Sequence, residues 1–236
     1  MGRIWSNLKR GVVWPMAAAV VGCAAGAVDL DRDVLLGLKQ EPQIHLVVYR
    51  SPDFTVATPS NSLVGSVPGI SGGALRMTSG TPGQDGGVYD PAAVVSEELG
   101  KALAFELGLT NLRPHPGPEP DDRPSALAAS LGEGLVLDVK TLRWGMAPDP
   151  DLWTRYRVQY VARSRLIRLR DGRTVWQADC DASEREARSG STLGELTAQD
   201  SAVLNDRLRE AGTRCSRDLT ARFFAHLPSG SDRSGD

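Results

Sequence analysis

The 236-residue chain has few of the groups from which anchors and active sites are usually built, and each shortage excludes something. No apolar run approaches the roughly 20 residues that a bilayer-spanning helix requires. Histidine occurs three times, at the scattered positions His45, His115 and His226, and Cys180 has no second thiolate at zinc spacing, so no metal site is expected. Formal net charge is only −2, which favours neither nucleic acid nor an acidic partner. A phosphate-cradling P-loop and a dinucleotide fingerprint are also missing, and no cofactor is expected. The acidic pairs Glu184 with Glu186 and Asp121 with Asp122 fall in turn-rich sequence, where solvation is the ordinary role.

One catalytic pattern does occur. Gly69-Ile70-Ser71-Gly72-Gly73 satisfies G-x-S-x-G, the nucleophile elbow, which needs a core strand before the serine and a helix after it. Val67-Pro68 precedes it and glycine-rich sequence surrounds it, so the context argues for a loop and against a hydrolase using Ser71. A non-enzymatic protein is expected.

The amino terminus is rich in information. Arg3, Lys9 and Arg10 stand in the first ten residues without an acid, and the apolar stretch Gly11 to Gly22 follows, the order of a secretory signal. The stretch ends in Val20-Val21-Gly22-Cys23. This resembles the lipobox of bacterial lipoproteins, in which the cysteine becomes the mature amino terminus and carries a diacylglycerol. The resemblance implies lipidation of Cys23 and attachment to a membrane through an anchor of two or three acyl chains, each buried methylene contributing about 0.8 kcal/mol. Ala24 after the cysteine, in place of Asp, implies the outer membrane, facing the periplasm. The alternative is an ordinary signal peptide in which the cysteine is incidental.

Cys180 and Cys215 remain. Export places them in an oxidising compartment, where a leftover pair reads as a disulfide; two buried free thiols are the alternative.

The expected organisation is a signal peptide over 1–22, a flexible tether over 23–43, a single domain over 44–227 and a disordered tail over 228–236. Ile44 to Tyr49 reads as a strand, and Phe54 to Ala57 as a second, shorter one. The glycine-rich stretch 64–90 reads as a long loop with room for one edge strand at Leu75-Arg76-Met77. A helix opens at Asp90-Pro91, with Val95, Leu99, Ala102, Leu103 and Leu107 at helical spacing, and stops at Gly108. The proline-rich segment 113–124 reads as a surface loop. Leu135, Leu137 and Val139 alternate in a further strand that runs towards Trp144.

Tyr156, Val158, Tyr160, Ala162, Ser164 and Leu166 alternate along a long strand whose hairpin turn is marked by Asp171-Gly172. A three-residue turn over Arg170-Asp171-Gly172 places Leu166 opposite Trp176, Ser164 opposite Ala178 and Ala162 opposite Cys180. The other face then pairs Arg163 with Asp179 and Arg165 with Gln177. Arg155, Arg157, Arg163 and Arg165 crowd this strand. They read either as a candidate anion-binding face or as a solvated face balanced by Asp179, Asp181, Glu184 and Glu186. A closing helix from about Asp200 to His226 carries Leu204, Leu208, Ala211, Cys215, Leu219 and Phe223 on one stripe, so Cys215 and Cys180 face the same core.

The element order predicts an α+β fold, a mostly antiparallel sheet with two helices packed on one face. This order, the lipobox and Asp171-Gly172 followed by Val175-Trp176 make the region Gln43 to Leu227 similar to periplasmic lipoproteins related to the TolB amino-terminal domain and to CsgG-type envelope lipoproteins. The similarity implies an accessory or assembly role with an envelope protein partner. The alternative is an auxiliary lipoprotein of lipid transport that binds lipid or anionic glycan through the arginine face.

Overall fold

The computed structural model describes residues 27–30, 32–57, 75–77, 88–185 and 191–225. The lipobox with Cys23, the G-x-S-x-G segment with Ser71, His226 and the tail lie outside them, as does the loop 64–90 apart from 75–77 and 88–90.

The sheet is built on one long strand, Leu135–Pro148, designated β5. Along its whole length one edge pairs antiparallel with β6, Tyr156–Arg168, and β6 pairs antiparallel with β7, Arg173–Asp181. The other edge of β5 is shared. Its first part takes β1, Ile44–Val48, in parallel, and its last part takes β2, Phe54–Val56, also in parallel. β3, Leu75–Met77, adds antiparallel to β2, and β4, Leu112–Pro114, adds parallel to β1. The seven described strands therefore form a mixed sheet, which corrects the mostly antiparallel one expected. The β5–β6–β7 meander is joined by short turns and has to be antiparallel, whereas the connection from β1 to β4 runs through a helix and permits parallel pairing.

A bulge makes the long β5 usable. Register with β6 slips by one residue between Thr141 and Arg143. Odd-numbered Leu135, Leu137 and Val139 and even-numbered Trp144 and Met146 consequently share one apolar cluster, and Leu142 is left 42% exposed. Gly145 follows because β2 crosses at that point: a Cβ there would collide with the carbonyl oxygen of Thr55.

Two helices cover the main apolar face, α2 (Ala92–Leu107) and α4 (Leu193–Ala225). Gly108, at φ 71°, ends α2 as its sequence predicts. The expected stripe on α4 is buried from Leu204 to Phe223. The helix begins earlier than expected, because Thr192 and Glu195 form a capping box: the Thr192 N–H donates to Glu195 Oε2 at 2.7 Å and the Glu195 N–H to Thr192 Oγ1 at 3.3 Å. It then breaks at Gln199, Asp200 and Ser201, whose φ values lie between 50° and 61°.

Two helices were not anticipated. α1, Arg32–Leu38, occupies the stretch read as flexible tether. Leu30, Leu35 and Leu38 enter the main cluster, each burial contributing about 1.5–3 kcal/mol, enough to hold a short segment against its ordering entropy. α3, Pro124–Leu131, covers part of the opposite face, where Leu127 packs with Val47, Tyr49, Val136, Ile167 and Leu169. Helices thus lie on both faces. The segment 113–124 is correspondingly more structured than a loop: its start is the edge strand β4, and Pro124 opens α3 in the first helical turn, where a missing N–H costs nothing.

The β6–β7 register agrees with the alternation argument from Ala162 opposite Cys180 to Leu166 opposite Trp176. The turn differs. A slip between Leu166 and Ile167 sets Arg168 opposite Arg173, leaving a four-residue turn, 169–172, with Gly172 at φ 61°. A bulge near Val175 absorbs the extra residue, so the predicted faces survive a different turn.

Candidate functional site

On the α3 side of the sheet lies a buried polar network. Asp138 on β5 is wholly buried and faces Arg165 across the strand pair. Arg165 Nε donates to both Asp138 carboxylate oxygens at 2.9 and 3.2 Å, and its Nη2 donates to Asp138 and, at 2.6 Å, to the Asp122 carbonyl. The Tyr49 hydroxyl donates to Asp138 Oδ2 at 2.8 Å. Burial opposes the Arg165 charge, but the bonds and charge of Asp138 outweigh it and hold the guanidinium above its ordinary pKa. Burial, reinforced by Asp138, raises that of Tyr49.

The Asp122 carboxylate accepts from Lys140 Nζ at 2.7 Å and from Arg163 at 3.1 Å, and the Lys140 hydrogen bond leads in lowering its pKa to about 2. These contacts fasten segment 118–123 over the sheet. Beside it is an open hollow of about 510 Å³ whose walls include Tyr49, Glu119, Asp122 and Lys140.

The expected anion-binding face is not assembled. Arg163 and Arg165 are engaged by Asp122 and Asp138, Arg157 pairs with buried Asp149 at 3.4 Å, and Arg155 pairs with Glu195 at 3.7 Å. The balancing acids therefore come from β5, from segment 118–123, from the β5–β6 turn and from α4, where Asp179 and its neighbours on or after β7 were expected. The β6–β7 alternation carries no information about β5. The signal for Asp138 was its position between Leu137 and Val139, in phase with apolar Val136.

At the start of α2, Asp90 joins three elements: it accepts from the Ser51 hydroxyl, from Thr141 Oγ1 at 2.7 Å and from the Ala92 N–H at 2.9 Å. Burial raises its pKa against these bonds. His45 is likewise buried, which lowers its pKa.

At the edge of the sheet, Cys180 of β7 and Cys215 of α4 form a disulfide with Cα atoms 5.5 Å apart, and both are about 1% exposed. Next to it an open groove of about 760 Å³ runs between residues 180–185 and α4. Arg207 Nη2 donates to Ser191 Oγ at 2.9 Å and Nη1 lies 3.5 Å from Glu184; Arg214 Nη2 donates to the Ala182 carbonyl at 2.9 Å. Guanidinium donors and carboxylate acceptors line this groove over a disulfide floor, an arrangement suited to binding charged groups.

Among the described residues, no group of three or more His, Cys, Asp or Glu is placed to hold a metal ion, and no helix is long and apolar enough to cross a membrane.

No protein-family model matches the chain, and no curated protein matches it. Solved structures with a similar course include protein XCC0632 from Xanthomonas campestris, of the DUF330 family, at 9% identity and TM-score 0.40 over 78% of this chain and 84% of that one. The hypothetical protein CT253 from Chlamydia trachomatis gives 17% identity and TM-score 0.40 over 79% and 96%. Lipoprotein GNA1162 from Neisseria meningitidis gives 22% and 0.27 over 70% and 96%. At these values the likenesses carry no conclusion about activity or partner.

Proposed function

We propose that the chain is a lipid-anchored envelope lipoprotein of the outer membrane, facing the periplasm, which acts as a non-enzymatic binding or assembly accessory. The disulfide carries this reading. The chain has three cysteines, and bonding of Cys180 to Cys215 supports an oxidising compartment for the domain and leaves Cys23 over for the lipobox. The accessory role draws on the exposed apolar side chains Phe105, 87% exposed on α2, and Leu152 and Trp153 in the β5–β6 turn, which are surfaces for a protein partner.

Metabolic labelling with palmitate tests the anchor. The wild type is expected to label and to sediment with membranes, and Cys23→Ser to do neither; palmitate incorporation into Cys23→Ser sinks the proposal. For the accessory role, crosslinking in intact cells followed by purification is expected to enrich one envelope protein, with loss of that product in Trp153→Ala or Phe105→Ala. Recovery of the monomer alone counts against it.

A further inference from the structure

The first described residues after Cys23 already belong to the domain. Val28 forms an antiparallel bridge with Gln177 on the outer edge of β7, and at about 3.3–3.6 Å per residue the five residues back to Cys23 reach at most about 18 Å. Antiparallel pairing also sets the direction of departure. Ala27 accordingly sits on the side of higher-numbered residues of β7, and Cys180, which begins one wall of the groove, lies about 10 Å along that edge from Gln177.

That side of the molecule carries arginines around the groove. Arg185 and Arg214 line it, and a shallower hollow of about 380 Å³ shares Glu210 and Arg214 with it and adds Arg209, Thr213 and Arg217. Arg185 and Arg217 are exposed, and among the described residues neither closes an ion pair. Asp181, Glu184, Glu210 and Asp218 stand among them. A surface with forked guanidinium donors beside carboxylates matches the phosphate and ammonium groups of a phospholipid headgroup.

We infer that the groove between β7 and α4, with Arg185, Arg214 and Arg217, is the membrane-facing surface of the domain and binds phospholipid headgroups of the bilayer in which the anchor sits. This rests on lipidation of Cys23. The short reach of the anchor supplies the ligand at high effective concentration, so each headgroup contact can be weak and still orient the domain.

The test uses the lipidated full chain in phosphatidylethanolamine–phosphatidylglycerol vesicles containing a trace of nitroxide-headgroup phosphatidylcholine. A fluorophore on Thr213→Cys, in the hollow, is expected to be quenched, and one on Leu152→Cys, in the β5–β6 turn, to stay bright. Adding Arg185→Ala and Arg217→Ala to Thr213→Cys is expected to abolish the quenching while leaving palmitate incorporation intact. Equal quenching at the two sites, or quenching indifferent to both arginines, overturns the inference. Absence of palmitate in the wild type instead overturns the anchor.

Discussion

Val28 and Gln177 exchange both backbone hydrogen bonds, 3.1 Å from the Val28 N–H and 3.0 Å from the Gln177 N–H, so the segment around Val28 is an added piece of the sheet edge. Val28→Pro removes one donor from this pair and leaves the Gln177 carbonyl to solvent. Amide exchange at Gln177 is expected to accelerate about tenfold or more, with little change at Leu166 or Ser164 deeper in the sheet. Unchanged exchange at Gln177 would mean that the bridge does not hold the segment in solution.

Asp138 and Arg165 set a second expectation. Removing one member of a buried pair strands the other charge, at a cost of about 3–5 kcal/mol, whereas replacing both by apolar residues of similar volume is often neutral. Asp138→Ala is therefore expected to lower unfolding free energy by that amount in urea, and Asp138→Leu with Arg165→Met to recover most of it. Equal loss in the single and double variants would show that giving up the Arg165 Nη2 bond to the Asp122 carbonyl costs as much as stranding the charge.

Cys180 and Cys215 are 35 residues apart, and closing a loop of that length stabilises the fold by about 3–4 kcal/mol through the unfolded chain. For a domain of this size that corresponds to about 6–16 °C in Tm. Thermal unfolding with and without reductant measures it. A drop under about 2 °C would indicate that the buried contacts of β7 with α4 already hold the two elements together.

The parts of this fold that were legible in the sequence are those in which one residue constrains another at fixed spacing. Alternation from Tyr156 to Leu166 fixed the faces of β6, and the stripe from Leu204 to Phe223 fixed the buried side of α4, so the approach of Cys180 and Cys215 followed. The parallel pairings were not legible, because five residues at Ile44–Val48 and three at Phe54–Val56 contain no register information and find their places only through the length of β5. α1 was hidden by its brevity, by Asp29 and Asp31 before it and by Asp33 in its first turn, and α3 by the prolines before it. The arginines misled for a related reason: side-chain charge on a strand says which face it occupies, while its partner sits on another strand or turn, here Asp138 and Asp122.

Asp122 gives a pH dependence whose sign can be worked out. Its folded-state pKa of about 2 lies below the unfolded value of about 3.9, so its contribution is fully present above about pH 4 and disappears as pH falls through about 2. Asp122 is about a third exposed, so solvent screening keeps the contribution below about 1 kcal/mol. Asp90 acts in the opposite sense: burial raises its folded-state pKa, and it weakens the fold as pH rises through the carboxylate range. A bare acid-unfolding curve mixes the two, and a variant is needed to separate them. Lys140→Met removes the main hydrogen bond that depresses the Asp122 pKa and leaves Asp90 on the other face untouched. Carboxyl NMR titration is expected to show Asp122 moving up towards its ordinary value, held part-way by Arg163, while Asp90 stays in place. The stability difference between pH 6 and pH 3 is expected to shrink in parallel. An unmoved Asp122 would mean that Arg163, at 3.1 Å, governs the carboxylate and that Lys140 serves mainly as a cation over the Tyr49 ring, 5.6 Å from its centre.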